Sequence, residues 1–156
     1  MNQATAHDVT IRDLAEGDLS EVKRIDALHT NEPKAEYWSR VFGQFVGEGA
    51  GKDRVALAVD GEVGLLGYLF GEVRAFEFGS APCGWIFSVG VDPTDSRAGI
   101  ATALLEEAKR RFAAAGVTRV RTMVRRNDVP VLSFFRANRF VGGAFAQLEL
   151  DLEEES

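Results

Sequence analysis

The sequence has few of the residues that build cross-links or metal sites. Its 156 residues include 1 cysteine, Cys83, and 2 histidines, so an internal disulfide is impossible and no usual zinc-ligand spacing occurs. The 4 prolines are scattered, and no proline-rich linker divides the chain. We therefore expect no metal, and we expect a reducing, cytoplasmic setting.

Long apolar stretches are also absent. Glycine or charge interrupts every apolar run within about ten residues, well short of the roughly 20 that a membrane-spanning helix needs. Residues 1–8 are polar and contain no signal-peptide core. These absences predict no membrane span and no membrane partner.

What is present is the composition of a globular protein, with 46% hydrophobic and 27% charged residues and a net charge of −6. We expect a single domain over residues 1–156, with a short flexible N-terminus and an acidic C-terminal tail. Charge is uneven, because residues 1–80 carry 8 basic and 14 acidic groups whereas residues 81–148 carry 10 and 5. That asymmetry suits ligands of opposite charge or is simply a solvated surface. Overall acidity without a recognised motif predicts no nucleic-acid partner.

Hydrophobic periodicity predicts an α/β (α+β) domain on a mixed sheet. The strand at 84–91, the helix beginning at Gly99 and ending near Gly116, and the strand at 117–125 predict a right-handed parallel crossover. The remaining predicted elements are strands at 9–12, 54–59, 64–73 and 145–152, an Asp60-Gly61 hairpin turn, and helices at 18–28, 33–46 and 130–138.

The segment between the strand at 84–91 and the helix from Gly99 has the features of an anion site. A helix N-terminus offers unpaired N–H groups and a positive dipole end, Gly99 allows close approach, and Arg97 adds a charge. A pyrophosphate suits such a site. The pattern is neither a Walker loop nor a dinucleotide fingerprint.

Two segments resemble the GNAT superfamily of N-acetyltransferases. Residues 96–101 read Ser-Arg-Ala-Gly-Ile-Ala, similar to the family's Gln/Arg-x-x-Gly-x-Gly/Ala signature, with Ser96 at the Gln/Arg position. Residues 128–140 resemble its Asn-x-x-Ala…Tyr-x-x-x-Gly-Phe segment. The resemblance implies the GNAT fold, a mixed and mostly antiparallel sheet of about six to seven strands, splayed at a central bulge and flanked by about four helices.

The resemblance also implies acetyl-CoA as co-substrate and assigns residues to it. The backbone of Val89, Gly90 and Val91 would pair with the pantetheine arm, and Gly90 marks either the bulge or a close approach, or else is a packing glycine. The implied pyrophosphate residues are Arg97, Ala98, Gly99, Ile100, Ala101 and Thr102, and those of the outer arm are Asp128, Ser133 and Phe134. Arg125, Arg126 and Arg136 are either 3′-phosphate ligands or solvated surface groups.

The usual acid and base of that family are missing. The strand at 84–91 holds no carboxylate, and Phe135 stands at the tyrosine position of the late helix. Glu72 and Glu77 are the remaining base candidates, if they are not surface carboxylates. Tyr68 is the candidate to assist the leaving group, if it is not a packing residue. A backbone N–H near Val89 or Val91 can act as oxyanion donor.

The acceptor amine is less constrained. Weak base machinery favours an α-amine of pKa about 7.7–8.0 over a lysine-like amine of pKa about 10.4, since only a neutral amine attacks. Acidic residues such as Glu32, Glu36 and Glu48 instead favour cations. The implied function is acetyl transfer from acetyl-CoA to a primary amine of a small molecule or peptide by direct attack in a ternary complex. The alternative is a non-catalytic acyl-CoA-binding or regulatory domain, and a homodimer is possible in either case.

Overall fold

The computed structural model describes residues 9–48, 50–95 and 99–154. The chain forms two compact units that divide between Met123 and Val124. The predicted flexible N-terminus, residues 1–8, lies outside the described residues. A single domain over residues 1–156 stays a prediction. No helix of the described chain is both long enough and apolar enough to cross a membrane.

A five-stranded mixed sheet organises the first unit. Its strands, which lie side by side in chain order, are β1 (Ile11–Asp13), β2 (Arg54–Asp60), β3 (Leu65–Arg74), β4 (Cys83–Val91) and β5 (Val120–Thr122). The first three pairings are antiparallel, and β4 pairs with β5 in parallel. This confirms the mixed, mostly antiparallel sheet and the parallel crossover.

Four α-helices are present in the described residues: α1 (Leu19–Thr30), α2 (Ala35–Phe45), α3 (Ile100–Ala114) and α4 (Val129–Ala137). Each lies within the range that periodicity predicts or extends it by one or two residues. Asp18 is the N-cap residue of α1 but makes no side-chain cap bond, because its carboxylate binds Arg12 and the Ala15 amide instead. The second unit contains α4.

Alternation along the strands separates two packing faces of the sheet. On one face, Tyr68 and Phe70 of β3 join a core cluster with Trp38 and Phe42 of α2 and Ile25 of α1. On the other face, α3 packs closely against glycines 67, 71 and 84, and any side chain there would overlap Ile100, Leu104 or Phe112. The sheet is thus covered on both faces, which explains the nearly continuous apolar runs of β2, β3 and β4.

A bulge in β4 and a short β5 open the sheet. Phe70 pairs with Ser88 and Gly71 with Ile86, so Phe87 is the extra residue of β4. β5 pairs with β4 only from Gly84 to Ile86, and the rest of β4 continues without it. The predicted splay is confirmed, and the bulge lies at Phe87 rather than at Gly90.

Two strand predictions are wrong in extent or existence. The strand predicted at 117–125 is limited to β5, and the strand predicted at 145–152 is absent, so the described chain has five strands rather than six to seven. Residues 145–152 alternate in polarity, but alternation makes a strand only where a neighbouring strand supplies hydrogen bonds. The apolar side chains Leu148, Leu150 and Leu152 are exposed there.

Candidate active site

The backbone of β4 beyond the bulge points into the opening beside β5. Asp92 N donates to Leu66 O at 2.8 Å, in register with the pairing of Gly90 with Tyr68. Because amides alternate along an antiparallel strand, those of Gly90 face β3, and those of Val89 and Val91 face the opposite side. That side is the one that β5 occupies only as far as Ile86. Two backbone N–H groups are therefore directed into the opening.

Helix α3 is the next helix in the chain after this strand. Gly99 is the N-cap residue with φ of 93°, a left-handed conformation that favours glycine, and its carbonyl accepts from Ala103 N at 2.8 Å. The amides of Ile100, Ala101 and Thr102 belong to the first turn, which helix geometry leaves without helical acceptors. No acidic residue lies in this first turn. The residues fit a pyrophosphate, while Arg97 and Ala98 lie outside the described residues.

A buried carboxylate binds Thr94 and Arg24 just after the end of β4. Asp92 Oδ1 accepts from Thr94 N at 2.9 Å and Thr94 Oγ1 at 2.7 Å, and its Oδ2 accepts from Arg24 Nη1 at 2.9 Å. The Thr94 bonds, and then the Arg24 charge, lower the pKa of Asp92 to about 2. Arg24 also binds Glu21 and the Leu65 carbonyl. Helix α1 is thereby tied to the residue that follows the end of β4.

Tyr68 lies against β4 at Gly90. A Cβ at Gly90 would come within 2.5 Å of the Tyr68 ring, so the ring occupies the space of the missing side chain. Tyr68 is 2% exposed, and its hydroxyl shares a hydrogen bond with Ser88. Burial raises the pKa of Tyr68, which keeps the phenol protonated at physiological pH. Of the three predicted catalytic groups, Tyr68 is the one placed at this part of β4.

The two predicted carboxylates lie farther along the sheet. Glu72 pairs with Trp85, on the other side of the bulge, about 13 Å along the strand from Val89 at roughly 3.3 Å per residue. Arg74 forms ion pairs with Glu72 at 3.7 Å and with Glu77 at 3.8 Å. Direct contact with a group at Val89 would need movement or a bridging water. Their role as bases stays a prediction.

Three further side chains near β4 escape prediction from sequence. His29 Nε2 donates to Val91 O at 2.7 Å, and Trp38 packs edge-on against Tyr68 with ring centroids 5.6 Å apart. Asp26 Oδ2 accepts from Trp38 Nε1 at 3.1 Å. All three come from α1 and α2, and their sequence periodicity indicates only a buried or exposed position. The sequence offers one sign of a polar group at this part of β4, the hydroxyl of Ser88 inside an otherwise apolar strand.

The second unit contains the remaining predicted positions. Asp128 caps α4 by accepting from Val131 N at 3.2 Å, and Phe134 packs edge-on against Phe135 with centroids 5.0 Å apart. Ser133, Arg125, Arg126 and Arg136 are exposed. Their contacts with the outer arm or the 3′-phosphate of CoA stay predictions. The described residues hold no group of three or more His, Cys, Asp or Glu side chains arranged for a metal.

A sequence profile decides the family. That of the acetyltransferase (GNAT) family matches residues 18–140, which include strands β2 to β5, the bulge and helices α1 to α4. The chain belongs to the GNAT family. The GNAT signature expected at Ser96–Ala101 lies within the match, and the class of enzyme is an acetyltransferase.

Solved structures share this GNAT fold at low sequence identity. AAC(6′)-Ih from Acinetobacter baumannii, an aminoglycoside 6′-N-acetyltransferase, is 15% identical with a TM-score of 0.75, covering 92% of this chain and 99% of its own. The aminoglycoside N-acetyltransferase AAC(6′)-Iy, solved with CoA, is 10% identical with a TM-score of 0.76 and coverages of 92% and 95%. A transcriptional regulator from Bacillus halodurans C-125 is 19% identical with a TM-score of 0.74 and coverages of 92% and 99%. No curated protein sequence matches the chain.

Proposed function

We propose that this GNAT protein transfers an acetyl group from acetyl-CoA to a primary amine of a small molecule or peptide, by direct attack in a ternary complex. The observation that carries the proposal is the opening beside β4. The amides of Val89 and Val91 point into this opening. The next helix in the chain, α3, has further unpaired amides at its N-terminus. The CoA-bound relative supports the choice of donor.

The backbone provides the groups that hold and polarise the donor. The N–H of Val89 or Val91 donates to the thioester carbonyl oxygen and stabilises the negative charge that develops there. The Val91 carbonyl already accepts one hydrogen bond from His29, and the Val89 carbonyl is the acceptor for an amide of the pantetheine arm. The first-turn amides of α3 hold the pyrophosphate, with Gly99 leaving room for it and Arg97 supplying charge.

Few side chains are available for the proton transfers of the reaction. The amine nitrogen forms a bond to the carbonyl carbon, the carbon–sulfur bond breaks, and the leaving thiolate takes a proton. Tyr68, kept protonated by burial beside Gly90, is the proton donor, and the phenolate that forms regains a proton from solvent before the next turnover. The proton of the amine leaves to solvent or, through a water, to Glu72 or Glu77. With no carboxylate on β4 itself, the acceptor reaches the site already neutral.

A thiol-release assay tests this function. Purified protein with acetyl-CoA and a pool of primary amines releases free CoA thiol, and mass spectrometry finds an acetylated amine. A domain that only binds or regulates retains CoA by calorimetry and releases no thiol with any amine class, which would contradict the proposal. An α-amine preference, a cytoplasmic location and a homodimer stay predictions, and an amine panel and gel-filtration mass measurement test the first and last.

A further inference from the structure

Asp26 of α1 is a nearly buried carboxylate that forms an ion pair with a lysine of the same protein. Lys34 Nζ, at the start of α2, lies 3.3 Å from Asp26 Oδ2, and the side chain of Asp26 is 14% exposed. Trp38 Nε1 donates to the same oxygen at 3.1 Å. The Oδ1 atom accepts no hydrogen bond from the described residues. Lys34 is 34% exposed, so its ammonium can be exchanged for another cation.

Trp38, which contacts this carboxylate, belongs to a group of packed aromatic rings. Trp38 packs edge-on against Tyr37 at 4.9 Å and against Tyr68 at 5.6 Å between centroids. The charge of Asp26 adds to the effect of burial in raising the pKa of both tyrosines, so it acts at both hydroxyls. Aromatic rings and a carboxylate together suit an ammonium ion, and the Arg40 guanidinium already lies 5.9 Å from the Tyr37 ring centroid. We call Asp26, Tyr37, Trp38 and Tyr68 the ammonium pocket.

We propose that the ammonium pocket binds a second, non-reacting ammonium group of the acceptor, and that Lys34 occupies Asp26 until the acceptor displaces it. The inference rests on the proposed function and names its substrate class, a small diamine or polyamine, in place of the α-amine preference predicted from sequence. The bound group is not the reacting one, because a carboxylate beside the reacting amine would favour its charged form, which cannot attack. Tyr68 links the pocket to Gly90 on β4, where the acetyl group is expected.

A second ammonium also accounts for the shortage of bases at β4. Two ammonium groups in one small molecule repel each other, so one of them loses its proton at a lower pH than an isolated amine does. Once Asp26 holds the charged end, the other end is the neutral nucleophile. The exposed carboxylates Glu32 and Glu36 nearby in the chain raise the local concentration of such cations.

Calorimetry on CoA-saturated protein tests the pocket directly. The probes are linear α,ω-diamines of increasing length, each compared with the monoamine of equal length. Wild type binds at least one diamine more tightly than its monoamine. Asp26→Asn lowers that diamine affinity about tenfold or more and leaves monoamine affinity unchanged, since it removes one charge-assisted contact. Equal affinities in wild type, or an equal loss for both amines in the variant, overturn the inference.

Two further variants keep the test independent of the folding of Asp26→Asn. Lys34→Met removes the competing cation and raises diamine affinity several-fold. A lower diamine affinity in Lys34→Met contradicts the proposal that the acceptor displaces Lys34 from Asp26. Glu36→Gln removes one negative charge from an exposed position of α2 and is the matched control. If Glu36→Gln weakens diamine binding as much as Asp26→Asn does, the affinity for diamines comes from the overall negative charge of this region and the ammonium pocket is contradicted. Near-ultraviolet circular dichroism monitors the packing of Trp38.

Turnover separates the two proposals. Wild type that binds diamines through Asp26 but releases no CoA thiol with any amine contradicts the acetyltransferase function and leaves the ammonium pocket standing. Protein that acetylates monoamines and diamines with equal kcat/KM, unchanged in Asp26→Asn, contradicts the pocket and leaves the function standing. When both hold, Asp26→Asn raises KM for diamines with little change in kcat.

Discussion

The ring of Tyr68 lies where a side chain at position 90 would be. The three atoms nearest to a Cβ built on Gly90 are Cε2, Cζ and Oη of this ring, at 2.5, 2.6 and 2.6 Å. The two residues also pair across β3 and β4. The absence of a side chain on one strand therefore determines where the phenol of the other lies. The same contact brings a protonated hydroxyl to the strand whose neighbouring amides face the opening.

Gly90→Ala tests this contact. The new methyl group forces the Tyr68 ring away from β4, and because the ring is packed against Trp38 and Phe70, we expect a loss of about 1–3 kcal/mol in the free energy of unfolding. We also expect the rate of acetyl transfer to fall. Urea unfolding and initial rates provide the two measurements. Gly43→Ala, at an exposed helix position with nothing within 4 Å, is the control and unfolds at the same or a higher urea concentration. Equal stability of the two variants would show that the ring moves freely.

Tyr68→Phe isolates the hydroxyl, because it keeps the ring and removes only the proton donor. We expect kcat to fall about tenfold or more, with KM for acetyl-CoA unchanged and the thermal unfolding midpoint nearly unchanged. Ser88→Ala, which removes the hydrogen-bond partner of the phenol, gives a smaller decrease. Steady-state rates over a range of pH measure both. Wild-type kcat in Tyr68→Phe would assign the tyrosine to packing alone.

Asp92→Asn changes how stability depends on pH. Since its pKa is lowered to about 2 from about 3.9 in an unfolded chain, Asp92 stabilises the fold fully above pH 4, and this stabilisation is lost as the pH falls toward 2. The variant is less stable at pH 7 by about 1–3 kcal/mol, through weaker bonds to Thr94 and Arg24. The difference between the variant and wild type in the free energy of unfolding becomes smaller as the pH falls below 4. Urea unfolding at several pH values measures it. Asp53→Asn, an exposed change of the same kind, serves as reference, and a parallel pH dependence in both variants would refute the assignment.

Periodicity predicts most elements of this fold because burial on one face leaves a regular trace in the chain. The helices and β2, β3 and β4 fall close to their predicted ranges, and the parallel crossover follows from their order. The strand predicted at 145–152 fails for a physical reason: alternation records which side chains prefer burial and does not supply a pairing edge. The position of the bulge depends on register, which is a property of two strands together.

The candidate site likewise has one part that the sequence predicts and another part that it does not. The donor side is predictable, because a strand, a short loop and a glycine at a helix N-terminus are contiguous in sequence. The acceptor side is not, because Asp26, Trp38 and Tyr68 come from three elements and meet only through packing. Glu72 illustrates the limit: sequence places it on the strand beside β4, but the register places it opposite Trp85, beyond the bulge.

Gly99→Glu tests the donor side. The carboxylate puts bulk and negative charge where the first-turn amides of α3 would hold a pyrophosphate, so we expect CoA binding to be lost in calorimetry. A side chain at a φ of 93° also costs stability, and that cost needs a matched control. Gly116→Glu supplies it, since Gly116 lies at the other end of α3 with a φ of 91° and nothing within 4 Å of its Cβ position. Both variants should unfold at similarly reduced temperatures, while Gly116→Glu alone still binds CoA. If Gly99→Glu retains wild-type affinity, the phosphates bind elsewhere.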